Sequence, residues 1–242
     1  MIGNRRTPQT QTHGKKKVRA AAGRLRASWI LSLPCLCLLW ISLIAGGCTT
    51  GPSHQKRDYI LEAVRQGEPL RAVVDGSLEV HRFSVDVEFA ARNLVYRLDK
   101  FEYEVDYYRQ FLVSPGTMIT ERMRDWLADS GLFTQVLPVG SRIVPHYTLE
   151  GNVTSLYGDF SKESAPAAVM EIRLFLLDNA DDTQKVVFAE TYRAATPVQE
   201  KTTEVFVEAV NESLVNILSH FESDLQKAFS DGTARSEGDQ GL

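Results

Sequence analysis

Apolar residues along this chain alternate with polar ones in some stretches and recur at intervals of three and four in others. Alternation is typical of strands with one buried face, whereas the longer interval is typical of helices with one buried face. Alternating or short apolar runs predict eight strands. They fall at 57–64, 78–91, 93–97, 101–108, 133–137, 146–157, 168–177 and 185–192. The turn-forming residues at 178–182 predict a hairpin between the last two strands.

Two segments have the helical period. The first begins at Ser114 and Pro115, residues typical of a helix N-cap and of the first helical position, and ends at Gly131. Its apolar stripe consists of Ile119, Met123, Trp126 and Leu127. The second segment, 201–229, has a longer stripe that fits packing on the protein's own sheet or coiled-coil pairing with a partner. Together, these patterns predict a single-domain α+β fold, in which an antiparallel or mixed β-sheet packs with two α-helices.

The strand at 101–108 has the most regular alternation. One face consists of Phe101, Tyr103, Val105 and Tyr107, and the other of Glu102, Glu104 and Asp106. This pattern predicts a half-buried antiparallel strand. Its carboxylate face would either attract a cation or a basic partner, or be a solvated surface. Because neighbours on a strand point in opposite directions, at least one ring of the pair Tyr107-Tyr108 must leave the core, and that ring is a candidate for an interface.

The first 47 residues differ from the rest in charge and in hydropathy. They contain eight basic residues and no acidic ones, and they end in an apolar run from Trp29 to Ala45. This order is typical of a secretory signal, and the run is shorter than the roughly 20 residues that a spanning helix needs. The stretch Ala45-Gly46-Gly47-Cys48 resembles a bacterial lipobox, in which the leader is cut before a cysteine that carries acyl chains. We therefore predict lipidation of Cys48, with an uncleaved membrane anchor as the alternative.

The predicted organisation has four parts: a lipoprotein signal peptide at 1–47, a flexible tether at 48–56, a folded domain at 57–229 and a disordered tail at 230–242. Removal of the leader leaves 19 Lys and Arg against 31 Asp and Glu, a net charge of −12. An acidic domain is not expected to bind nucleic acid or anionic head groups, so membrane attachment would depend on acyl chains. Cys35 and Cys37 lie in the leader, so the mature chain has no possible internal disulfide.

The residues after the leader contain no recognisable catalytic or cofactor motif. The nearest approach to a G-x-S-x-G nucleophile elbow, Asp75-Gly76-Ser77, lacks the second glycine. His81, His146 and His220 are far apart in the sequence and lack metal-ligand spacing. The sequence therefore predicts a protein that is not an enzyme, with no cofactor and no metal site. An envelope hydrolase would require a nucleophile and a base in contact, and the sequence does not identify such a pair.

A series of short phrases between Leu94 and Val136 adds a resemblance. They are the strand Val95-Tyr96-Arg97, the pair Tyr107-Tyr108, Pro115 at a helix start, and Ser130-Gly131-Leu132-Phe133 at a helix end. In order and spacing these phrases resemble the ABC-type transport auxiliary lipoproteins, the PqiC-like family of Gram-negative envelopes. The similarity extends from about Tyr59 to Phe229. The family usually has Arg-Trp after the tyrosine pair, whereas this chain has Arg109 and, two residues later, Phe111.

The resemblance implies a function in transport. Members of the family accompany ABC transporters with MCE-domain proteins, which move lipids or other hydrophobic molecules between the two membranes. The implied partners are an MCE-domain protein and ABC transporter subunits, and the implied assembly is a ring of identical subunits. The candidate residues for self-assembly or partner contact are Tyr96, Arg97, Tyr107, Tyr108 and Arg109.

The implied location is the periplasmic face of the outer membrane. Thr49 follows the cysteine in place of the Asp that often signals inner-membrane retention, which favours the outer membrane. The alternative function is that of a standalone envelope lipoprotein that binds a lipid or a small hydrophobic ligand in a cleft between sheet and helices.

Overall fold

The computed structural model describes residues 55–71, 74–180 and 183–232. The predicted leader, the predicted lipidation site at Cys48 and most of the predicted tether and tail lie outside these residues. Along the described chain the elements are β1 (Arg57–Tyr59), β2 (Val74–Val80), β3 (Ser84–Val85), β4 (Asn93–Arg97), β5 (Tyr103–Phe111), α1 (Pro115–Ser130), β6 (Phe133–Val136), β7 (Tyr147–Asp159), β8 (Ala167–Asp178), β9 (Lys185–Pro197) and α2 (Thr203–Ser230).

Strand β7 lies at the centre of a mixed sheet. Along one edge it pairs antiparallel with β8 over nearly its whole length, and β8 pairs antiparallel with β9. Along the other edge it pairs in succession with β2, β3 and β4, all of them parallel. Beyond β4 come β5, which is antiparallel to β4, and β1, which is parallel to β5. This arrangement, with two helices, confirms the predicted α+β fold and its mixed sheet.

Helix α2 packs on β8 and β9 through the apolar stripe that its sequence predicts. The large buried residues of this stripe are Phe206, Val210, Leu214, Ile217, Phe221 and Leu225. Because the protein's own strands cover the stripe, it is not available for a coiled coil with a partner. Among the described residues, no helix is long and apolar enough to cross a membrane.

Helix α1 packs against β6 and α2 and has the predicted ends. Pro115 is in its first turn, and Gly131 ends it with a left-handed φ of 66°. A Cβ atom at Gly131 would lie 2.5 Å from the carbonyl oxygen of Leu70, so this position requires glycine for space as well as for φ. The Ser114 hydroxyl does not cap the helix backbone as expected but lies 2.9 Å from the Thr117 hydroxyl.

Two predicted strands are shorter than their sequence patterns indicate. The prediction for 57–64 is wrong beyond Tyr59, because residues 60–64 form no strand. Leu61 and Ala63 are buried, whereas Ile60 and Val64 are exposed. There the backbone N–H of Glu62 donates to Asn211 Oδ1 at 3.0 Å. The prediction of one strand at 78–91 is also wrong. Separate parts of this segment pair with β7 as β2 and β3, and the chain then turns at 87–89.

Candidate functional site

Strand β5 contains a bulge that shapes its exposed surface. Between residues 105 and 110 of β5, five residue steps lie opposite two steps of β4, so residues 106–109 leave the regular ladder. The Asp106 carboxylate stabilises the bulge, because its Oδ1 accepts hydrogen bonds of 2.9 Å from the backbone N–H groups of both Tyr108 and Arg109. Hydrogen bonds within the bulge itself thus stabilise it.

The bulge turns both rings of the tyrosine pair outward. Tyr107 and Tyr108 are exposed, and their rings meet edge to face with centroids 5.2 Å apart. Lys56, ahead of β1, lies with its Nζ 5.1 Å from the centroid of the Tyr107 ring. Regular strand geometry would place the two rings on opposite faces, and the bulge brings them into contact.

The exposed apolar row continues toward the start of the strand. Tyr103, Val105 and Tyr107 are 46%, 57% and 68% exposed. The prediction of a half-buried strand is therefore wrong. Its physical reason is coverage: α2 packs mainly on β8 and β9 and α1 mainly on β6. The first turn of α2 reaches β5 on the carboxylate face, where Glu204 lines a cleft with Glu104 and Asp106. We refer to Tyr103, Val105, Tyr107 and Tyr108 as the β5 surface.

Tyr96 of β4 lies on the helix-covered face of the sheet. Its ring packs against those of Phe206 and Phe160, with centroids 5.2 and 5.6 Å away. Burial raises the pKa of Tyr96 to about 12. The structure therefore gives Tyr96 a packing contact between sheet and α2, and its role in an interface stays a prediction.

Arg97 lies on the opposite face and makes a two-point ion pair with Asp159. Its guanidinium also lies over the Tyr157 ring, 5.1 Å from the centroid. Burial alone would raise the pKa of the Asp159 carboxyl, but hydrogen bonds from Arg97 and Ser161 outweigh it and hold that pKa below its usual value. Arg97 thus fastens the end of β4 to the end of β7.

Arg109 connects the bulge to an open cleft of about 700 Å³ on the other face of β5. Its Nη1 donates to Asp106 Oδ2 at 3.2 Å, and this hydrogen bond raises the pKa of Arg109. Half of the residues that line the cleft are charged. They are Glu104, Asp106, Arg109, Glu163, Lys201 and Glu204. A cleft with this lining does not suit the acyl chain of a lipid, so it does not favour the standalone lipid-binding alternative.

The fold also brings together a serine and a histidine that the sequence did not connect. Ser77 Oγ lies 3.0 Å from His146 Nδ1, and the same nitrogen accepts the backbone N–H of Ser77 at 3.1 Å. Ser77 is buried, and within the described chain no carboxylate is hydrogen-bonded to His146. This contact fastens the β6–β7 loop to β2 and is not a nucleophile–base–acid triad. Among the described residues, no group of three His, Cys, Asp or Glu side chains could hold a metal ion.

Residues 59–219 match the family described as ABC-type transport auxiliary lipoprotein component. The chain belongs to this family. The match confirms the resemblance seen in the sequence and covers the described domain from the end of β1 into α2. No protein with a curated description matches this auxiliary lipoprotein. Membership makes the chain a transport auxiliary component, in a family that is not one of enzymes, and indicates a membrane-anchored envelope protein that faces the periplasm.

Two solved structures share the fold of this auxiliary lipoprotein. Protein XCC0632 from Xanthomonas campestris has a TM-score of 0.62 at 21% identity, over 75% of this chain and 99% of that one. An uncharacterised protein has a TM-score of 0.55 at 14% identity, over 71% of this chain and 99% of that one. At these identities the likeness concerns the fold alone.

Proposed function

We propose that this auxiliary lipoprotein is the outer-membrane docking component of an MCE-type ABC transport system, which moves lipids or other hydrophobic molecules between the two membranes. The match of residues 59–219 to the family carries the proposal. In this role, an acylated Cys48 anchors the protein, and the domain binds an MCE-domain protein that is in turn joined to ABC transporter subunits.

Anchoring depends on the acyl chains of Cys48. Each buried methylene of an acyl chain contributes about 0.8 kcal/mol, so several chains hold a protein stably at a bilayer. The net charge of −12 that remains after the leader provides no attraction to anionic head groups. Thr49 after the cysteine supports the outer membrane as the site of the anchor.

The β5 surface supports the docking role. Exposed aromatic side chains in a contiguous row are enriched at protein interfaces. The outer edge of β5 pairs with β1 only from Arg109 to Phe111, so within the described chain no strand neighbours Tyr103–Val105 on that side. An open edge beside exposed apolar residues can accept a strand of another protein.

The charge pattern of β5 limits how copies of the protein can assemble through this edge. If two copies pair antiparallel through their β5 edges, a two-fold axis perpendicular to the sheet relates them. The carboxylate faces of the two strands then lie on the same side of the joined sheet. Glu102 and Glu104 of one copy would then lie opposite the same carboxylates of the other, and like charges directly opposite one another are destabilising. The pattern favours a basic partner strand, or head-to-tail contacts between copies. Such contacts form a ring where the rotation from one copy to the next closes.

The test is purification of the tagged, acylated protein from membranes in a mild detergent, followed by mass spectrometry of the proteins that accompany it. We expect an MCE-domain protein and ABC transporter subunits. Cys48→Ser is the matched control, and we expect it to lose acylation and membrane attachment. Isolation of the wild-type protein alone, as a monomer with bound lipid, would overturn the docking role and favour the standalone lipid-binding function.

A further inference from the structure

The turn between β4 and β5 holds an exposed phenylalanine in a hydrogen-bonded frame. The Leu98 N–H donates to the carbonyl oxygen of Glu102 at 2.8 Å, and the Asp99 carboxylate accepts the Lys100 N–H at 2.7 Å. Phe101 is 86% exposed, and Lys100 Nζ lies 5.0 Å from the centroid of its ring. We refer to residues 98–102 as the hairpin tip. It presents a large apolar ring with an ammonium group beside it.

The described chain enters β1 from the side on which this tip lies. Strand β1 is parallel to β5, with Arg57 opposite Arg109, so Lys56, directly ahead of Arg57, lies toward the start of β5. The position of Lys56 agrees, because its Nζ lies over the ring of Tyr107, which comes before Arg109 on β5. The start of β5 adjoins the hairpin tip.

The tether is short enough to keep the tip near the anchor. Residues 49–56 separate Cys48 from Arg57, and a fully extended segment of this length spans at most about 30 Å. Phe101 is six residues ahead of Tyr107, which is at most about 20 Å along a strand. An acyl group on Cys48 and the ring of Phe101 can therefore reach the same bilayer surface.

We infer that the hairpin tip is a membrane contact, in which Phe101 inserts at the boundary between head groups and acyl chains of the bilayer that holds the anchor. The inference rests on the acylation of Cys48 in the proposed function. An apolar ring gains by leaving water at this boundary, and the Lys100 ammonium beside it lies at the level of the lipid phosphates. Because the acyl chains already supply attachment, the tip fixes the orientation of the domain.

This orientation leaves the far end of the molecule free for a partner. Strand β7 has 13 residues and is about 40 Å long. The hairpin tip adjoins its C-terminal end, where Arg97 pairs with Asp159. The β6–β7 loop precedes its N-terminal end, and Val144 in that loop is 82% exposed. Val144 is therefore the matched control for Phe101, a large exposed apolar side chain at the opposite end of the same strand.

The experiment uses a nitroxide spin label on the full acylated protein in vesicles of phosphatidylethanolamine and phosphatidylglycerol. Cys48 is the sole cysteine after the leader. Once its sulfur is joined to diacylglycerol, Phe101→Cys or Val144→Cys provides a single reactive thiol. We expect the label at 101 to gain collisions with lipid-soluble oxygen and lose collisions with a water-soluble nickel chelate when the protein joins vesicles. The label at 144 should keep its access to the chelate.

Three other outcomes would overturn the inference, and the measurements distinguish them from one another. A label at 101 with the same access to the chelate as the label at 144, on protein shown by mass spectrometry to be acylated, overturns the tip contact and leaves the anchor in place. Protein that is not acylated overturns the anchor and the tip contact together. Dipolar broadening between labels at 101, with loss of access to both reagents, would assign the tip to contact with a second copy.

Discussion

The Asp106 carboxylate accepts a hydrogen bond of 2.9 Å from the backbone N–H of Tyr108, and this contact fixes the bulge from which the β5 surface projects. A second hydrogen bond of the same length joins the same oxygen to the N–H of Arg109. The shape of the β5 surface therefore depends on Asp106, an acidic side chain on the carboxylate face of the same strand.

Replacement of this carboxylate should loosen the bulge. We expect Asp106→Ala to lower the free energy of unfolding by about 1–3 kcal/mol, the usual effect of losing hydrogen bonds to a charged acceptor. Asp106→Asn keeps an oxygen that can accept both backbone N–H groups, so its effect should be smaller. Urea unfolding of the two variants measures the difference, and equal losses would show that the backbone hydrogen bonds do not stabilise the bulge.

Replacement of the two exposed rings should separate assembly from stability. Because Tyr107 and Tyr108 lie outside the core, Tyr107→Ser/Tyr108→Ser should change the free energy of unfolding by no more than about 1 kcal/mol. We expect the same variant to reduce co-purification of partners and self-association in sedimentation velocity. Val186→Ser on β9 is the control, since Val186 is also an exposed apolar residue. A double variant that assembles like the wild type would remove the β5 surface as the interface.

Local sequence patterns account for the two helices of this fold, because the features that define a helix depend on residues only a few positions apart. The three-and-four spacing of α2 predicts the large residues that it buries, from Phe206 to Leu225. Gly131 marks the end of α1 because a left-handed φ is required there. The phrases that carry the family resemblance are local in the same sense.

Local sequence patterns do not predict features that depend on segments far apart in the chain. Alternation along β5 indicates two faces but not whether a helix covers either of them. The bulge depends on the register between β5 and β4, which no local pattern gives. An Asp side chain that accepts hydrogen bonds from the N–H groups of the residues after it is a known turn motif, and Asp106 could have indicated the bulge in this way. The contact between Ser77 and His146 joins positions 69 residues apart, so only the sheet topology brings it about.

A buried ion pair should stabilise the fold more than an exposed one. Arg65 donates to both oxygens of Glu222, at 2.9 and 2.8 Å, and Trp126 Nε1 donates to the same carboxylate at 2.7 Å. The side chains of Arg65 and Glu222 are 8% and 13% exposed, whereas those of the pair Arg57 and Glu204 are 65% and 59% exposed.

Because Glu222→Ala leaves the Arg65 guanidinium without its carboxylate in a buried site, we expect it to lower the free energy of unfolding by about 3–5 kcal/mol. Arg57→Ala at the exposed pair should lower it by at most about 1 kcal/mol. Trp126 fluorescence during urea unfolding measures both. Similar values for the two variants would contradict the role assigned to burial.

The carboxylates of Glu171 and Asp159 should make the free energy of unfolding depend on pH in the acid range. Hydrogen bonds from Thr154 and Arg193 hold the pKa of Glu171 below its usual 4.5. Burial raises the pKa of Asp159, but the hydrogen bonds from Arg97 and Ser161 together outweigh it and lower that pKa from 3.8. A carboxyl whose pKa is lower in the folded state stabilises the fold above its unfolded pKa, and this contribution is lost as the pH falls through the folded value.

We therefore expect the free energy of unfolding to change little between about pH 5 and pH 7 and to fall below about pH 4. Asp159→Asn/Glu171→Gln should be less stable than the wild type at pH 7 and should have a shallower decline in acid. Urea titrations at several pH values measure both slopes. Parallel slopes would assign the acid sensitivity to other groups.

The last prediction concerns the close approach of three rings to Gly158 on β7. A Cβ atom at this position would lie 2.7 Å from the Phe160 ring, 2.9 Å from the Tyr96 ring and 3.1 Å from the Phe206 ring. Gly158→Ala should therefore lower the free energy of unfolding by about 1–3 kcal/mol, because the packed rings must move to admit the methyl group. Phe160→Leu removes the nearest ring atoms. In a double-mutant cycle, the alanine should then be less destabilising in the Phe160→Leu background than in the wild type. Strict additivity of the two substitutions would show that the Phe160 ring does not limit the space at Gly158.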